Sequence, residues 1–279
     1  MPPIFIGGQE VTKIYAGIQE VVAAYVGSQQ VFSGFGPQSL FSSGEQGVWF
    51  DPSDLSTMFQ DSAGTIPVTA DGQPVGKILD KSGCGNHATA PNASSRPQYR
   101  TDGTYHWLQW DGVDDTHSTA PIDFTGTDKM SVFCGLLKGT PSPWKYFVGT
   151  TANSDTTVGS FGLYAPGGTD GSVDMYAKGS LAITNRIAVA PGQNIKITVG
   201  SLIDLATSVK VNVNGGAFSA EFANLGGNFA NDIMVLGSRG DGVYKFLGNY
   251  YQTIVVGKLC TSEEIAQTEA FVNGKTGAY

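Results

Sequence analysis

Charge is scarce in this chain. Asp, Glu, Lys and Arg make up 14% of its 279 residues, well under the usual share of about 25%. What charge there is sums to −8, and no Lys/Arg cluster interrupts it. A surface of that sign offers nothing to phosphates, which excludes nucleic acid and anionic membranes as partners. Cysteine is nearly absent: Cys84, Cys134 and Cys260 are odd in number and far apart, which excludes a disulfide framework. They read as buried free thiols of a protein assembled in a reducing cytoplasm. No apolar run approaches the roughly 18 residues needed to span a bilayer, so membrane insertion is excluded as well. The N-terminus has no basic region before "VVAAYVG", and that stretch is bounded by Glu20 and by Ser28 to Gln30, so no secretory signal is expected.

Catalytic signatures are missing too. There is no Glu-x-Asp-x-x-Glu strand, no G-x-S-x-G elbow, no phosphate-cradling glycine loop and no CxxC. His87, His106 and His117 lack metal-ligand spacing and read as structural or surface residues. Glu263, Glu264 and Glu269 belong to a helix, the first two placed to stabilise its N-terminus.

Glycine, with 38 residues, is present at about twice its usual ~7% share, while 41% of the chain is apolar. That describes a turn-rich β protein with enough apolar surface to bury a core. Its first 35 residues repeat with a period of ten: Phe5, Tyr15, Tyr25 and Phe35 align, as do Gly7, Gly17 and Gly27, and Val11, Val21 and Val31. In each unit a glycine lies between an aromatic residue and a valine, the pattern of a small hairpin. An even period can return successive aromatics to one side of a sheet. So short a segment needs help to bury anything, since a core below about 40 residues rarely offsets chain entropy alone. Two solutions are open: association with sister copies, as a homotrimer of three wrapped segments, or a meander packed on the rest of the chain.

"GFGPQSLFSSGEQG" breaks the repeat, so residues 1–35 are the repeat segment, 36–47 a linker and 48–279 the main domain. Asp51-Pro52-Ser53-Asp54 reads as a turn capping a short helical turn, with Leu55 and Met58 facing inward. Met130, Val132, Cys134 and Leu136 alternate, as do Ile195, Ile197 and Val199, and Val209, Val211 and Val213; Asn214-Gly215 then turns the chain toward Phe218, Ala220 and Phe222. Eight or more short strands with regular turns predict an all-β sandwich. One helix closes the chain: Thr261 and Glu264 form a capping box, Ile265, Thr268 and Val272 share a side, and Gly274 supplies the stop. It is expected to pack across the end of the sandwich.

"WFDPSDLSTMFQDSAGTIPVTADGQPVGKILDKSGCGNHATA", "RPQY", "LQWDGVDD", the "VKVNVNGG" hairpin and "CTSEEIAQTEAFVNGKTGAY" resemble the laminin-G/concanavalin A-like module of tailed-phage and prophage tail proteins. The "IYAGIQEV" repeats resemble segments preceding such modules in tail-tip and fibre proteins. The resemblance spans residues 1–35 and 48–279. It implies a jelly-roll sandwich displayed on the virion tail after assembly in the host cytoplasm. There the repeats, through Phe5, Tyr15, Tyr25, Phe35, Val11, Val21 and Val31, would tie a homotrimer to other tail proteins. It further implies a non-enzymatic receptor-binding adhesin whose partner is a bacterial surface glycan, pilus or outer-membrane protein. The alternatives are a structural or decorating tail component and, third, a carbohydrate-active hydrolase.

Exposed aromatics in sandwich loops are the physical candidates for recognition, because a ring face stacks on sugar or protein at little entropic cost. Tyr105, Trp107, Trp144 and Tyr244 sit in or beside turns, whereas Trp49, Trp107 and Trp110 also suit the core. No cofactor is expected. Asp111, Asp114 and Asp115 are candidate ligands for Ca²⁺, which the resemblance places at the rim of some such modules. "SRGDG" at 238 to 242 is set aside as a chance tripeptide in a glycine turn.

Overall fold

A computed structural model describes residues 35–139, 144–151, 153–168, 171–188, 192 and 194–279, with positions 185, 186 and 188 described as backbone alone. In the leader it describes the backbone of six short strands. Phe5–Ile6 (β1) pairs with Gln9–Glu10 (β2), Ile14–Ala16 (β3) with Gln19–Val21 (β4), and Ala23–Val26 (β5) with Gln29–Ser33 (β6), all antiparallel. One register recurs: Phe5 opposite Glu10, Tyr15 opposite Glu20, Tyr25 opposite Gln30. Each decamer thus contributes one antiparallel pair of short strands; the repeat glycines Gly7, Gly17 and Gly27 lie outside the described residues. Val11 lies outside the described residues.

The main domain adds β7 (Gly47–Phe50), β8 (Met58–Phe59), β9 (Lys77–Ile78), β10 (Ala88–Thr89), β11 (Gln98–Thr101), β12 (His106–Asp111), β13 (His117–Asp123), β14 (Lys129–Lys138) and β15 (Tyr146–Thr150). It continues with β16 (Ser160–Tyr164), β17 (Val173–Lys178), β18 (Ile183–Ala188), β19 (Lys196–Asp204), β20 (Ser208–Val213), β21 (Ser219–Phe222), β22 (Asn231–Leu236) and β23 (Leu247–Val256), then α1 (Ser262–Thr276). Two antiparallel sheets form the sandwich. One has nine strands in the order β18-β17-β16-β15-β22-β13-β10-β9-β8; the other runs β11-β12-β23-β14-β19-β20-β21, with β7 also paired to β23. Alternation supplies the inner faces: Met130, Val132, Cys134 and Leu136 of β14 and Phe161 and Leu163 of β16 are fully buried in one core. Asn214 (φ 53°) and Gly215 (φ 64°) both adopt the left-handed backbone of a tight turn, closed by Gly216 N donating to Val213 O (3.1 Å), that begins the connection from β20 to β21.

The loop from Asp80 to Asn86 is a structural clamp. The Asp80 carboxylate accepts hydrogen bonds from Trp49 N (2.8 Å), Ser82 N (2.9 Å), Ser82 Oγ (2.7 Å) and Asn86 N (3.0 Å), while Asn86 Nδ2 donates to Gly47 O (2.8 Å). This fastens the loop after β9 to β7. Asp54 caps the short helical turn at Leu55–Thr57 as expected, with Met58 buried beneath it.

Three expectations need correction. The helix does not lie across the end of the sandwich; it covers the outer face of the second sheet, where Val272 packs with Phe133, Ile254 and Val256. Gly135 permits that approach, since a Cβ there would collide with Thr276. Nor does Gly274 stop the helix. The stop is Gly277, in the left-handed conformation (φ 66°) with its N–H on Asn273 O. Finally, the supposed linker packs onto the same outer face. Pro37–Phe41 is a 3₁₀ turn burying Leu40 and Phe41, and Phe35, assigned to oligomerisation, sits edge-on to Phe271 at 6.5 Å. Apolar side chains spaced along a glycine-rich stretch found a face to bury, which composition alone does not show.

Candidate binding site on the outer face of the nine-stranded sheet

Because Phe161 and Leu163 of β16 and Val173, Met175 and Ala177 of β17 point into the core, their neighbours Tyr164 and Tyr176 point out. Tyr146 of β15 lies opposite Tyr164 in register, and their rings meet edge to face at 5.0 Å. Tyr146 lies flat over the sheet because Gly149 and Gly162 carry no side chain; a Cβ at either would overlap its ring or hydroxyl. Tyr164 and Tyr176 pack at 5.1 Å.

Two loops close over this tyrosine floor. Trp144 precedes β15 and packs on Tyr164 at 6.0 Å and on Tyr176 at 6.1 Å. Tyr244 precedes β23 and meets Tyr164 at 5.9 Å. Each is 38% exposed, so each covers the floor with one side and offers the other to solvent. Both hold positive φ, 60° and 57°, which bulky residues rarely adopt. The backbone fixes them there: Trp144 N donates to Gly167 O (3.0 Å), and Tyr146 N donates to Tyr244 O (2.8 Å), tying the second loop to the first strand.

Arg239 joins the cluster. Its guanidinium lies 4.6 Å from the Tyr244 ring centre, donates from Nε and Nη2 to Asp241 (3.1 and 2.8 Å) and from Nη1 to Asp155 (2.7 Å). Burial works against its charge, but its bonds to Asp241 and to the Tyr164 hydroxyl more than offset this and hold its pKa above the ordinary value. The same contact, from the other side, keeps Asp241 below the usual carboxylate range. The Arg-Gly-Asp tripeptide is therefore folded on itself, its cation already engaged. Burial first, then the carboxylates of Asp174 and Asp155, push the Tyr176 hydroxyl up to about 12.

The four aromatic candidates thus separate into two places. Trp144 and Tyr244 come together here. Tyr105 and Trp107 lie on the outer face of the other sheet, where Trp107 packs on Tyr251 at 5.7 Å and the Lys196 ammonium sits 3.7 Å from the Tyr105 ring centre. Trp110 is a core residue and Trp49 packs under the helix. Sequence reasoning missed Tyr146, Tyr164, Tyr176, Arg239 and Asp155. The signal for Tyr164 and Tyr176 was available, since both alternate with buried residues, but nothing local marks an outward tyrosine as a floor for distant loops.

Asp111, Asp114 and Asp115 do converge, with ligand oxygens within 4.8 Å of one another. Burial chiefly raises Asp115 to about 7; its bond from Asp111 N opposes the rise, and the carboxylates of Asp111 and Asp114 add to it. One carboxylate oxygen from each gives three ligands, against the six to eight that Ca²⁺ takes. Lys245 Nζ reaches the Asp114 carbonyl at 3.5 Å. All three cysteines are free thiols; burial pushes Cys134 up to about 12 and Cys260 up to about 11. A depression of about 260 Å³ bounded by Gln109, Leu137, Asn194 and Leu247 shares no residue with the aromatic face. No helix among the described residues is long and apolar enough to cross a membrane.

No family model matches the chain, and no curated protein matches it. Solved structures match in shape. A botulinum neurotoxin serotype D ligand-binding domain in complex with N-acetylneuraminic acid aligns over 85% of this chain and 53% of its own, with TM-score 0.57 and 9% identity. What is shared is the fold. An arabinofuranosidase complexed with arabinofuranosyl-alpha-1,2-xylobiose aligns over 86% of this chain and 65% of its own, with TM-score 0.59 and 14% identity. A botulinum neurotoxin serotype D binding domain aligns over 70% of this chain and 48% of its own, with TM-score 0.52 and 12% identity. The chain spans about half the length of the neurotoxin domains it matches and 65% of the arabinofuranosidase.

Proposed function

We propose that this protein is a non-enzymatic surface-binding module that holds a carbohydrate against the Trp144–Tyr244 face. The observation that carries this reading is the pair of half-exposed rings held at positive φ over a tyrosine floor, with an Arg–carboxylate cluster alongside. Rigid aromatic faces pack on the apolar side of a sugar ring, and charged groups beside them hydrogen-bond its hydroxyls. Neighbours in fold that are receptor-binding domains, one in complex with a sugar, support the reading.

The finer reading is that the module is a receptor-binding protein of a phage tail. Its support is the sequence resemblance together with the recurring leader register, which suits a small β device joined to sister copies and other tail proteins. On this reading the protein sits on the virion tail as a homotrimer and contacts a bacterial surface glycan. Purified protein added to host cells would then block phage adsorption, and Trp144→Ala would lose that block. If wild type and variant both leave adsorption unchanged, the adhesin role falls and a scaffold role in the tail stands. Deleting residues 1–34 tests the leader: light scattering should show the mass fall to a single chain, and an unchanged oligomer would place the contact elsewhere. The arabinofuranosidase fold keeps a hydrolase as second reading, for which turnover of arabinoxylan oligosaccharides is the direct assay.

A further inference from the structure

The reading above leaves open which sugars the face accepts, and its charges bear on that question. Arg239 is the cation that stacks on the aromatic cluster, and its guanidinium is already engaged. Its side chain is only 10% exposed and spends three of its N–H groups on Asp241 and Asp155. The two carboxylates, by contrast, face outward: the Asp155 side chain is 41% exposed and that of Asp241 34%. Asp155 bonds Arg239 through Oδ2, and its Oδ1 has no hydrogen bond among the described residues. Two carboxylates against one guanidinium leave this ion cluster net negative. At Tyr176 the nearby carboxylates, among them Asp155, disfavour a further anion, whereas at Tyr146 and Tyr164 the paired Arg239 opposes Asp155.

We propose that this face selects uncharged sugars and excludes acidic ones, with Asp155 as the specificity-determining residue. A neutral pyranose stacked on Trp144 and Tyr244 would donate a hydroxyl to Asp155 Oδ1 in a charge-assisted bond. A sialic or uronic acid at the same place would set its carboxylate against Asp155 and Asp241 with no free guanidinium to pair it, and like charges in contact cost several-fold to many-fold in affinity. The exclusion is set by which carboxylates surround the Arg, independently of the fold shared with a domain complexed with N-acetylneuraminic acid.

This inference rests on the binding reading, and one experiment separates the two. Wild type, Trp144→Ala and Asp155→Asn are applied to a printed array carrying neutral hexose and N-acetylhexosamine oligosaccharides beside their sialylated and uronic-acid counterparts. Near-ultraviolet circular dichroism confirms that each variant is folded. Retention confined to neutral glycans, lost in Trp144→Ala, with acidic glycans at least tenfold weaker for wild type than for Asp155→Asn, is the expected result. Acidic glycans retained as well as neutral ones, through Trp144, overturn the selectivity and leave the binding reading standing. Absence of any Trp144-dependent retention overturns both.

Discussion

Trp144 is where backbone strain and binding meet, and the two can be separated by comparing Trp144→Gly with Trp144→Ala. At φ 60° a residue with a Cβ bears about 1–2 kcal/mol that glycine does not. Glycine in turn costs about 0.4–1 kcal/mol more than alanine through the freedom of the unfolded chain. The difference leaves Trp144→Gly more stable than Trp144→Ala by about 0.5–1 kcal/mol, the reverse of the usual order. Both lose the ring contacts to Tyr164 and Tyr176, worth about 0.5–1.5 kcal/mol each, so the alanine variant should fall about 1–3 kcal/mol below wild type. Urea unfolding followed by fluorescence reads these differences as midpoint shifts. Carbohydrate retention should drop at least tenfold in both variants, equivalent to about 1.4 kcal/mol, because the stacking surface is gone whichever backbone remains. Alanine equal to or more stable than glycine at this position would refute the argument, because the backbone would then not be held in the left-handed region by its bond to Gly167 O.

Other perturbations test the frame around the site. Asp80→Ala strips four donors of their acceptor and should cost about 3 kcal/mol in urea without altering carbohydrate retention; a loss under about 1 kcal/mol would show that the clamp is not needed. Thr261→Ala removes the helix cap and should cost about 1 kcal/mol, while Gly277→Ala adds left-handed strain and a collision with Tyr105, and should cost more; the opposite order would contradict the assigned helix end. Between pH 3.8 and about 7 the folded chain keeps the Asp115 proton that the unfolded chain releases, so this group's stabilisation is full at the acid end and is lost as pH rises to 7. His117 acts oppositely: neutral when folded down to about 4, it draws a proton in the unfolded chain at 6.5, so stability is lost as pH falls through that window. Asp115→Asn should remove the first slope and leave the second, as read from urea midpoints across pH 4–8; superimposable profiles for variant and wild type would contradict the burial of that carboxylate.

Much of the frame is legible locally. Alternation in β14 and β19, the paired left-handed residues Asn214 and Gly215, the capping box at Thr261 and the decamer pairs of the leader all arise from interactions within a few residues of one another. The helix stop was misplaced because Gly274 and Gly277 look alike in sequence, and only the conformation of the backbone separates them. The stretch 36–47 was misread for a related reason: its apolar residues bury against Phe133 and Ile254, which lie far along the chain.

The site divides in the same way. Aromatics in turns pointed to Trp144 and Tyr244, and equally to Tyr105 and Trp107, since a turn-borne ring looks the same wherever its loop ends up. What the sequence by itself determined is a glycine-rich sandwich of alternating strands followed by one capped helix, because period-two patterning and a capping box need no distant partner. What only the tertiary structure decided is that β15, β16 and β17 lie side by side, that the loops at 144 and 244 close over them, and that Arg239 arrives with its charge already paired. Sheet order and loop closure depend on contacts between segments remote in the chain, and those contacts are made by packing, which leaves no local mark on the residues it brings together.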